Sequence, residues 1–200
     1  MTYLELQTEV LSDRFDEGKR ANVKNWLNYR YGRLWGMEDW TFKTQISDLA
    51  VSAGLSQIAK GSIGSILAIY DATTSPYFSD TFAVRPEQIN AYATLTSGVP
   101  YNFTVIGDNL IFERPMDTNR TFKVINEKKF TALSADGDIP LIPTEYHLLL
   151  ASGASSHGLR LENDPSWQAF EDEWTRGIDD MKKNYLADVR IYSDALPSWP

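Results

Sequence analysis

Apolar side chains recur at steps of three and four near both ends of the chain and fall in short alternating runs between them. Tyr3, Leu6 and Val10 predict a first helix from Thr2 to about Leu11. Thr2 stands at its cap and Glu5 three residues later, the spacing of a capping box. Val23, Trp26, Leu27, Tyr31 and Leu34 predict a second helix from about Glu17 to Trp35, with Arg20, Lys24, Arg30 and Arg33 off or beside the stripe and Gly36 as its stop. Beyond Pro140 and Pro143, Thr144 is placed to cap a helix from Glu145 to about Glu162 that carries Leu148, Leu149 and Leu150. Asp164 and Pro165 supply a cap and a first-turn proline for the last helix, whose stripe is Trp167, Phe170, Trp174, Ile178, Met181 and Tyr185. Glu171, Asp172 and Glu173 lie early in it and Lys182 and Lys183 late, which suits the helix dipole. The stripe Trp167, Phe170, Trp174, Ile178 is expected to pack against Val23, Trp26, Leu27 and Leu34.

From about Phe42 to Leu133 the chain is rich in Thr, Ser, Ile, Val, Phe and Tyr, with frequent Gly and Pro, which predicts strands and turns. Ile63 to Tyr70 is one strand and Thr121 to about Phe130 another. Tyr101–Ile106 and Leu110–Glu113 form a hairpin about Gly107, Asp108 and Asn109, residues that tolerate positive φ, and Pro115 ends the run. Tyr101, Phe103 and Val105 alternate with Asn102 and Thr104, so one face is expected to be buried. A short helix from Pro86 to about Tyr92 interrupts the region. The expected architecture is α+β: an antiparallel helical bundle with a β-rich insertion and an extended C-terminal tail. It reads as a single domain, 1–200, made of a helix pair at 1–40, the insertion at 41–139, a second helix pair at 140–188 and the tail at 189–200. No internal repeat is visible.

The chain has 27 acidic and 19 basic side chains, a formal charge of −8, which argues against a general nucleic-acid binder. There are no cysteines, so disulfides and thiolate metal sites are excluded. The start of the chain lacks a basic region followed by an apolar run, so no signal peptide is expected. No apolar stretch approaches the roughly 20 residues of a membrane span. Six tryptophans provide for a substantial core. Core packing accounts well for Trp26, Trp167, Phe170 and Trp174. Trp35, Trp40 and Trp199 stand at element ends or in the tail, where aromatics often serve contacts between chains.

Nothing in the sequence points to catalysis, a cofactor or a metal. His147 and His157, the only histidines, lie near opposite faces of one predicted helix and read as surface or partly packed. The Gly61-Ser62-Ile63-Gly64-Ser65 run lacks the lysine of a phosphate-binding loop and reads as a turn into a strand. Asp136-Gly137-Asp138 lacks the later ligands of a calcium loop and reads as a polar turn. Consecutive Glu171, Asp172 and Glu173 point to different sides of a helix, as do Asp179 and Asp180, and read as a solvated face. No serine sits in a Gly-x-Ser-x-Gly elbow. The candidate interface residues are Val189, Ile191, Tyr192 and Trp199. The run Val189-Arg190-Ile191-Tyr192 is strand-like with no partner beside it in sequence, Val189 and Ile191 share one face, and Trp199 adds a large contact.

The ordered set of features resembles the tailed-phage head-to-tail adaptors, also called head-completion or connector proteins. It comprises the helix pair ending in Trp35 and Trp40, the β-rich middle with Ile106-Gly-Asp-Asn-Leu-Ile-Phe-Glu-Arg-Pro115, the Ile142-Pro-Thr-Glu-Tyr-His147 entry to a leucine run with Gly153-Ala154, and Phe170-Glu-Asp-Glu-Trp174 with Gly177 and Met181. The resemblance spans nearly the whole chain. It implies a ring, commonly twelve-fold, seated under the portal in the virion neck and made in the host cytoplasm. Its partners would be other copies of itself, the portal and the next neck or tail protein. DNA would pass through without specific binding, and no membrane or cofactor is involved. The family offers no catalytic residues to carry over. Two other readings stay open: another neck or tail-completion subunit, and an enzyme or carbohydrate-binding protein with an aromatic groove in its β-rich lobe.

Overall fold

The computed structural model describes residues 1–12, 14–61, 63–73, 79–89 and 96–186. Among them are five helices and a seven-stranded sheet, so the fold is α+β. The chain divides into two compact units: Met1–Lys43 together with the chain from Phe130 onward, and Thr44–Lys129.

The first unit is helical, and its elements begin where local hydrogen bonding lets them. In α1 (Tyr3–Ser12) the Thr2 amide donates to Glu5 Oε2 at 2.7 Å, and the Glu5 amide donates to Thr2 Oγ1 at 3.3 Å. This is the reciprocal capping box that the spacing predicts. The next free amides, of Tyr3 and Leu4, donate to the carbonyls of Asp138 and Asp136 at 2.7 and 3.0 Å. The Asp136-Gly137-Asp138 segment is therefore a polar turn whose carbonyls satisfy the start of α1. Its own shape is held by the Asp138 carboxylate, which accepts the amides of Ser134 and Ala135 at 2.6 and 2.8 Å.

Helix α2 (Arg20–Met37) follows a short 3-10 turn at Glu17–Lys19. Gly36 does not stop it. The helix runs through Gly36, which does not take the left-handed conformation that makes glycine a terminator, and the chain breaks to extended backbone at Glu38. Pro86–Ile89 forms the short helix α3 within the second unit. Helix α4 (His147–Leu161) is entered through a 3-10 turn at Thr144–Tyr146, so Thr144 lies inside that turn and does not cap the helix. The Asp164 carboxylate accepts the amide and hydroxyl of Ser166 at 2.9 and 2.7 Å, capping the turn that leads into α5 (Trp167–Tyr185). Of the leucine run, Leu149 and Leu150 are buried while Leu148 is exposed, because three consecutive residues sweep most of a helical turn.

Helix α4 packs against α1, α2 and α5, and the α5 and α2 stripes enter one core, as expected, with most of their contact running through α4. The reason lies in two glycines. Trp174 of α5 is seated over Gly153, and Trp26 of α2 over Gly158, so each indole rests on bare α4 backbone. A Cβ at Gly153 would stand 2.8 Å from Cζ3 of Trp174, and one at Gly158 would stand 2.7 Å from Cε3 of Trp26. Trp35 and Trp40 also depart from expectation: both are buried in this unit's own core. Trp40 donates from Nε1 to the Leu34 carbonyl at 2.7 Å and stacks on Phe42, as the chain doubles back over the end of α2.

His147 is 1% exposed, which overturns its reading as a surface or partly packed residue. Its Nε2 meets the Ile142 carbonyl at 3.1 Å and its Nδ1 meets the Met1 amino group at 2.7 Å. A carbonyl requires a donor, so Nε2 carries the proton and Nδ1 accepts in the neutral ring. Burial pushes the His147 pKa below its ordinary 6.5, and the nearby amino-terminal charge adds to this. His157 shifts the same way, through burial and then the charge of Arg30. The unfolded chain then binds protons that the folded chain refuses, so stability falls as pH drops below about 6.5. Denaturant midpoints are expected to be lower at pH 5 than at pH 7.5, and His147→Gln should flatten the difference. An unchanged pH dependence in that variant would refute the assignment.

The second unit carries the sheet. Its strands are β1 (Thr44–Val51), β2 (Gln57–Ala59), β3 (Ile63–Asp71), β4 (Ser79–Ala83), β5 (Asn102–Ile106), β6 (Asn109–Phe112) and β7 (Arg120–Lys128), in the spatial order β1-β7-β3-β4-β5-β6-β2. Pairing is antiparallel except between β4 and β5. Leu49, Val51, Ile69, Phe103, Leu110, Phe112, Phe122 and Val124 form its core. The β5–β6 hairpin turns at Gly107, with φ +59°. Its expected buried face is only partly realised: Phe103 is buried, but Tyr101 and Val105 are exposed and Thr104 is buried instead. Strand β4 pairs with β5 only at Asn102 and Phe103, so Val105 projects past the covered part of the strand. Gly64 sits where β3 shifts register against β7, and a Cβ there would collide with the Glu127 carbonyl. Of the predicted helix from Pro86 to Tyr92, residues 90–92 lie outside the described residues.

Candidate functional site

The chemistry-bearing residues are spent on bracing. Among the described residues no group of His, Asp and Glu is placed to hold a metal ion. His147 is enclosed as above, and His157 stacks on Tyr29 with centroids 4.6 Å apart. Glu171 is not part of a solvated face. It takes both guanidinium nitrogens of Arg30, at 3.2 and 2.6 Å, and the Ser156 hydroxyl at 2.6 Å. Burial works to raise its pKa, but the hydrogen bonds of Arg30 and Ser156 outweigh this and hold the carboxyl below its ordinary value. Asp180 stays exposed, as the solvated-face reading has it, and accepts the Tyr146 hydroxyl at 2.8 Å. In the second unit Arg120 pairs with Asp71, both buried, and reaches Asp117 at 2.7 Å. Glu113 accepts the Tyr101 amide at 3.2 Å and the Asn102 side chain. Among the described residues these sets bond mainly to one another; Arg30 Nε is buried without a hydrogen-bond partner, and Tyr146 lines an open hollow of about 580 Å³ together with Glu145, Glu173 and Arg176.

In the second unit one face of the sheet stands open. Leu49 and Val51 of β1 point into the core, so Ile46 and Asp48 point out. The register places Ile46 beside Ile125 of β7, and Ile125 beside Ala68 of β3. Phe82 of β4 follows Thr81, which pairs with buried Ile69, so Phe82 faces out beside Ala68. Ile46, Ile125, Ala68 and Phe82 thus make an apolar row across four strands, with Ile46 67% and Phe82 62% exposed. Two shallow hollows follow it. One, of about 490 Å³, is lined by Ile46, Tyr70, Lys123 and Ile125. The other, of about 250 Å³, is lined by Leu67, Tyr70 and Phe82 among others. A Lys123–Asp48 ion pair of 2.6 Å borders the row. Contiguous exposed apolar surface with a polar rim is the signature of a contact surface. Sequence reading missed it, although Val124-Ile125, two adjacent apolar residues in one strand, was a signal that β7 is apolar on both sides.

The interface residues expected from sequence, Val189, Ile191, Tyr192 and Trp199, lie outside the described residues. The last described residue before them, Leu186, forms an antiparallel bridge with Trp40. Among the described residues no helix is long and apolar enough to cross a membrane. In comparison with known families, the family model described as SU10 adaptor protein matches residues 1–196. The chain matches none of the curated proteins compared with it.

Proposed function

The chain belongs to the SU10 adaptor protein family, a phage head–tail adaptor family, and on that premise we propose that it is a non-enzymatic structural subunit of the virion neck. In this reading copies of the chain form a ring, twelve-fold in the usual case, that joins the portal to the next neck or tail protein and extends the DNA channel. Its helices act as the antiparallel scaffold of the subunit, and Val189, Ile191, Tyr192 and Trp199 serve contacts between chains. The observation that carries the reading is the family match over residues 1–196. The exposed apolar row on the sheet supports it, because a subunit that lived alone would have little use for such a surface.

The test is mass in solution, alone and with the purified portal of the same phage. A complex holding many copies of the chain per portal ring is expected, with no change in thermal stability on adding small sugars. A chain that stays monomeric and ignores the portal would overturn the reading. The formal charge of −8 leads to a further expectation. Duplex DNA at physiological salt should bind weakly or not at all, since few counterions would be released. Micromolar, salt-sensitive binding by the isolated chain would contradict the picture of DNA passing without adhesion.

A further inference from the structure

We infer that the free edge of β1 is completed in the assembled protein by the C-terminal segment of a neighbouring copy, with Val189-Arg190-Ile191-Tyr192 added as an antiparallel or parallel strand. This rests on the ring reading, which supplies the neighbour. Strand β1 ends the sheet on one side and, among the described residues, pairs only with β7. It is long for an edge, eight residues in unbroken register from Thr44 opposite Glu127 to Val51 opposite Arg120. About half of its backbone N–H and C=O groups point away from β7, as in any antiparallel edge.

Natural edges are usually blunted by proline, a bulge or a lysine turned outward. Strand β1 has none of these. Its sequence, Thr-Gln-Ile-Ser-Asp-Leu-Ala-Val, holds one charge, Asp48, and that charge is tied to Lys123 on the neighbouring strand. Its register with β7 has no shift. The opposite edge, β2, is three residues long and offers far less to pair with.

The occupant is argued from pattern. The first half of β1 is two-faced: Ile46 is on the open side, while Gln45 and Ser47 are on the other, with Ser47 bonded to Asn126 at 3.0 Å. The segment after Leu186 carries the matching pattern, with Val189 and Ile191 on one side and Arg190 between them. Laid along β1, Val189 and Ile191 lengthen the apolar row that starts at Ile46, and Arg190 falls on the polar side beside Gln45 and Ser47. The added backbone takes up the open donors and acceptors of the edge. A tail given by one copy to the sheet edge of the next makes a heterologous contact, the kind that closes rings. Val189 follows Leu186 by three residues, about 10 Å of extended chain. The donor's α5 end must therefore lie close to the receiver's β1.

The chain has no cysteine, so engineered pairs have a clean background. Two double variants cover the two nearest registers: Ile46→Cys with Ile191→Cys, and Ile46→Cys with Val189→Cys. Each is oxidised both as free protein and in complex with the portal, then run under denaturing, non-reducing conditions. The expected result is a ladder of covalent multimers in at least one pair, and a covalent dimer when the corresponding single variants are mixed. A disulfide closed within one chain, or free thiols in both pairs among assembled copies, or a chain that remains monomeric throughout, would overturn the inference. A ladder in the free protein without any portal complex would keep the inference and remove the adaptor role. As a second measurement, the chain ending at Leu186 should keep its circular dichroism and melting temperature while associating with itself at least about tenfold more weakly. Unchanged self-association of this truncated chain also rules the inference out.

Discussion

Trp174→Ala is expected to cost about 3–5 kcal/mol of stability, the range for emptying a fully buried large aromatic site. The indole is 3% exposed. It lies against the bare backbone of α4 at Gly153 and under the Arg30 guanidinium, whose carbon is 5.2 Å from the ring centroid. Removing the ring leaves a cavity that a helix lying on glycine cannot easily fill, and it uncovers a buried cation that Glu171 alone must then hold. The same geometry predicts the converse. Gly153→Ala introduces a methyl where the ring already is, and overpacking of this kind costs about 1–3 kcal/mol. In the Trp174→Ala background that methyl has room, so the two losses should be strongly non-additive. Urea denaturation of both single variants and the double variant measures this. A Trp174→Ala loss below about 1 kcal/mol, or simple additivity with Gly153→Ala, would show that the indole is not seated on the α4 backbone.

Asp71→Ala should be comparably damaging to the sheet, at about 3–5 kcal/mol, because it leaves a buried guanidinium without its buried partner. The side chains of Arg120 and Asp71 are 3% and 1% exposed. Asp117, the second partner of Arg120, is 42% exposed and reaches it from the surface. Asp117→Asn should therefore do much less harm, since solvent screens that pair. Replacing both buried partners with apolar residues, Asp71→Val with Arg120→Leu, should recover much of the loss, because neither charge then remains to be desolvated. Hydrogen exchange along β3 and β7, where the two residues sit, gives a local readout. Equal losses for Asp71→Ala and Asp117→Asn would mean that burial is not what makes the pair matter.

Several elements were legible because their causes are local. Thr2 and Glu5 are three residues apart, and the capping box needs only that spacing. The stripe from Val23 to Leu34 and that from Trp174 to Met181 are buried as their period requires. The hairpin about Gly107 is a local event as well. Where local reading failed, a distant partner had decided the matter. Gly36 can stop a helix or continue it, and only the conformation taken by the chain around it distinguishes the two. Glu171 looks like a solvated acid beside Asp172 and Glu173 until Arg30 is placed against it from another helix.

By itself, then, the sequence determined the α+β class, the four long helices, the hairpin, the lack of cysteine chemistry and, by ordered resemblance, the adaptor family that the match over residues 1–196 bears out. These follow from periodicity, capping and composition, all of which are properties of neighbouring residues. Only the tertiary structure decided that α4 is the helix on which Trp26 and Trp174 both rest, because glycine carries no side chain and adds nothing to a hydrophobic pattern. It alone buried His147 beneath Met1 and folded Trp35 and Trp40 into the core, since those partners come from far along the chain. It also set the strand order β1-β7-β3, which brings Ile46, Ile125, Ala68 and Phe82 into one exposed row. Pairings across tens of residues leave no trace in local periodicity, and so a surface assembled from four strands becomes visible only once the sheet is built.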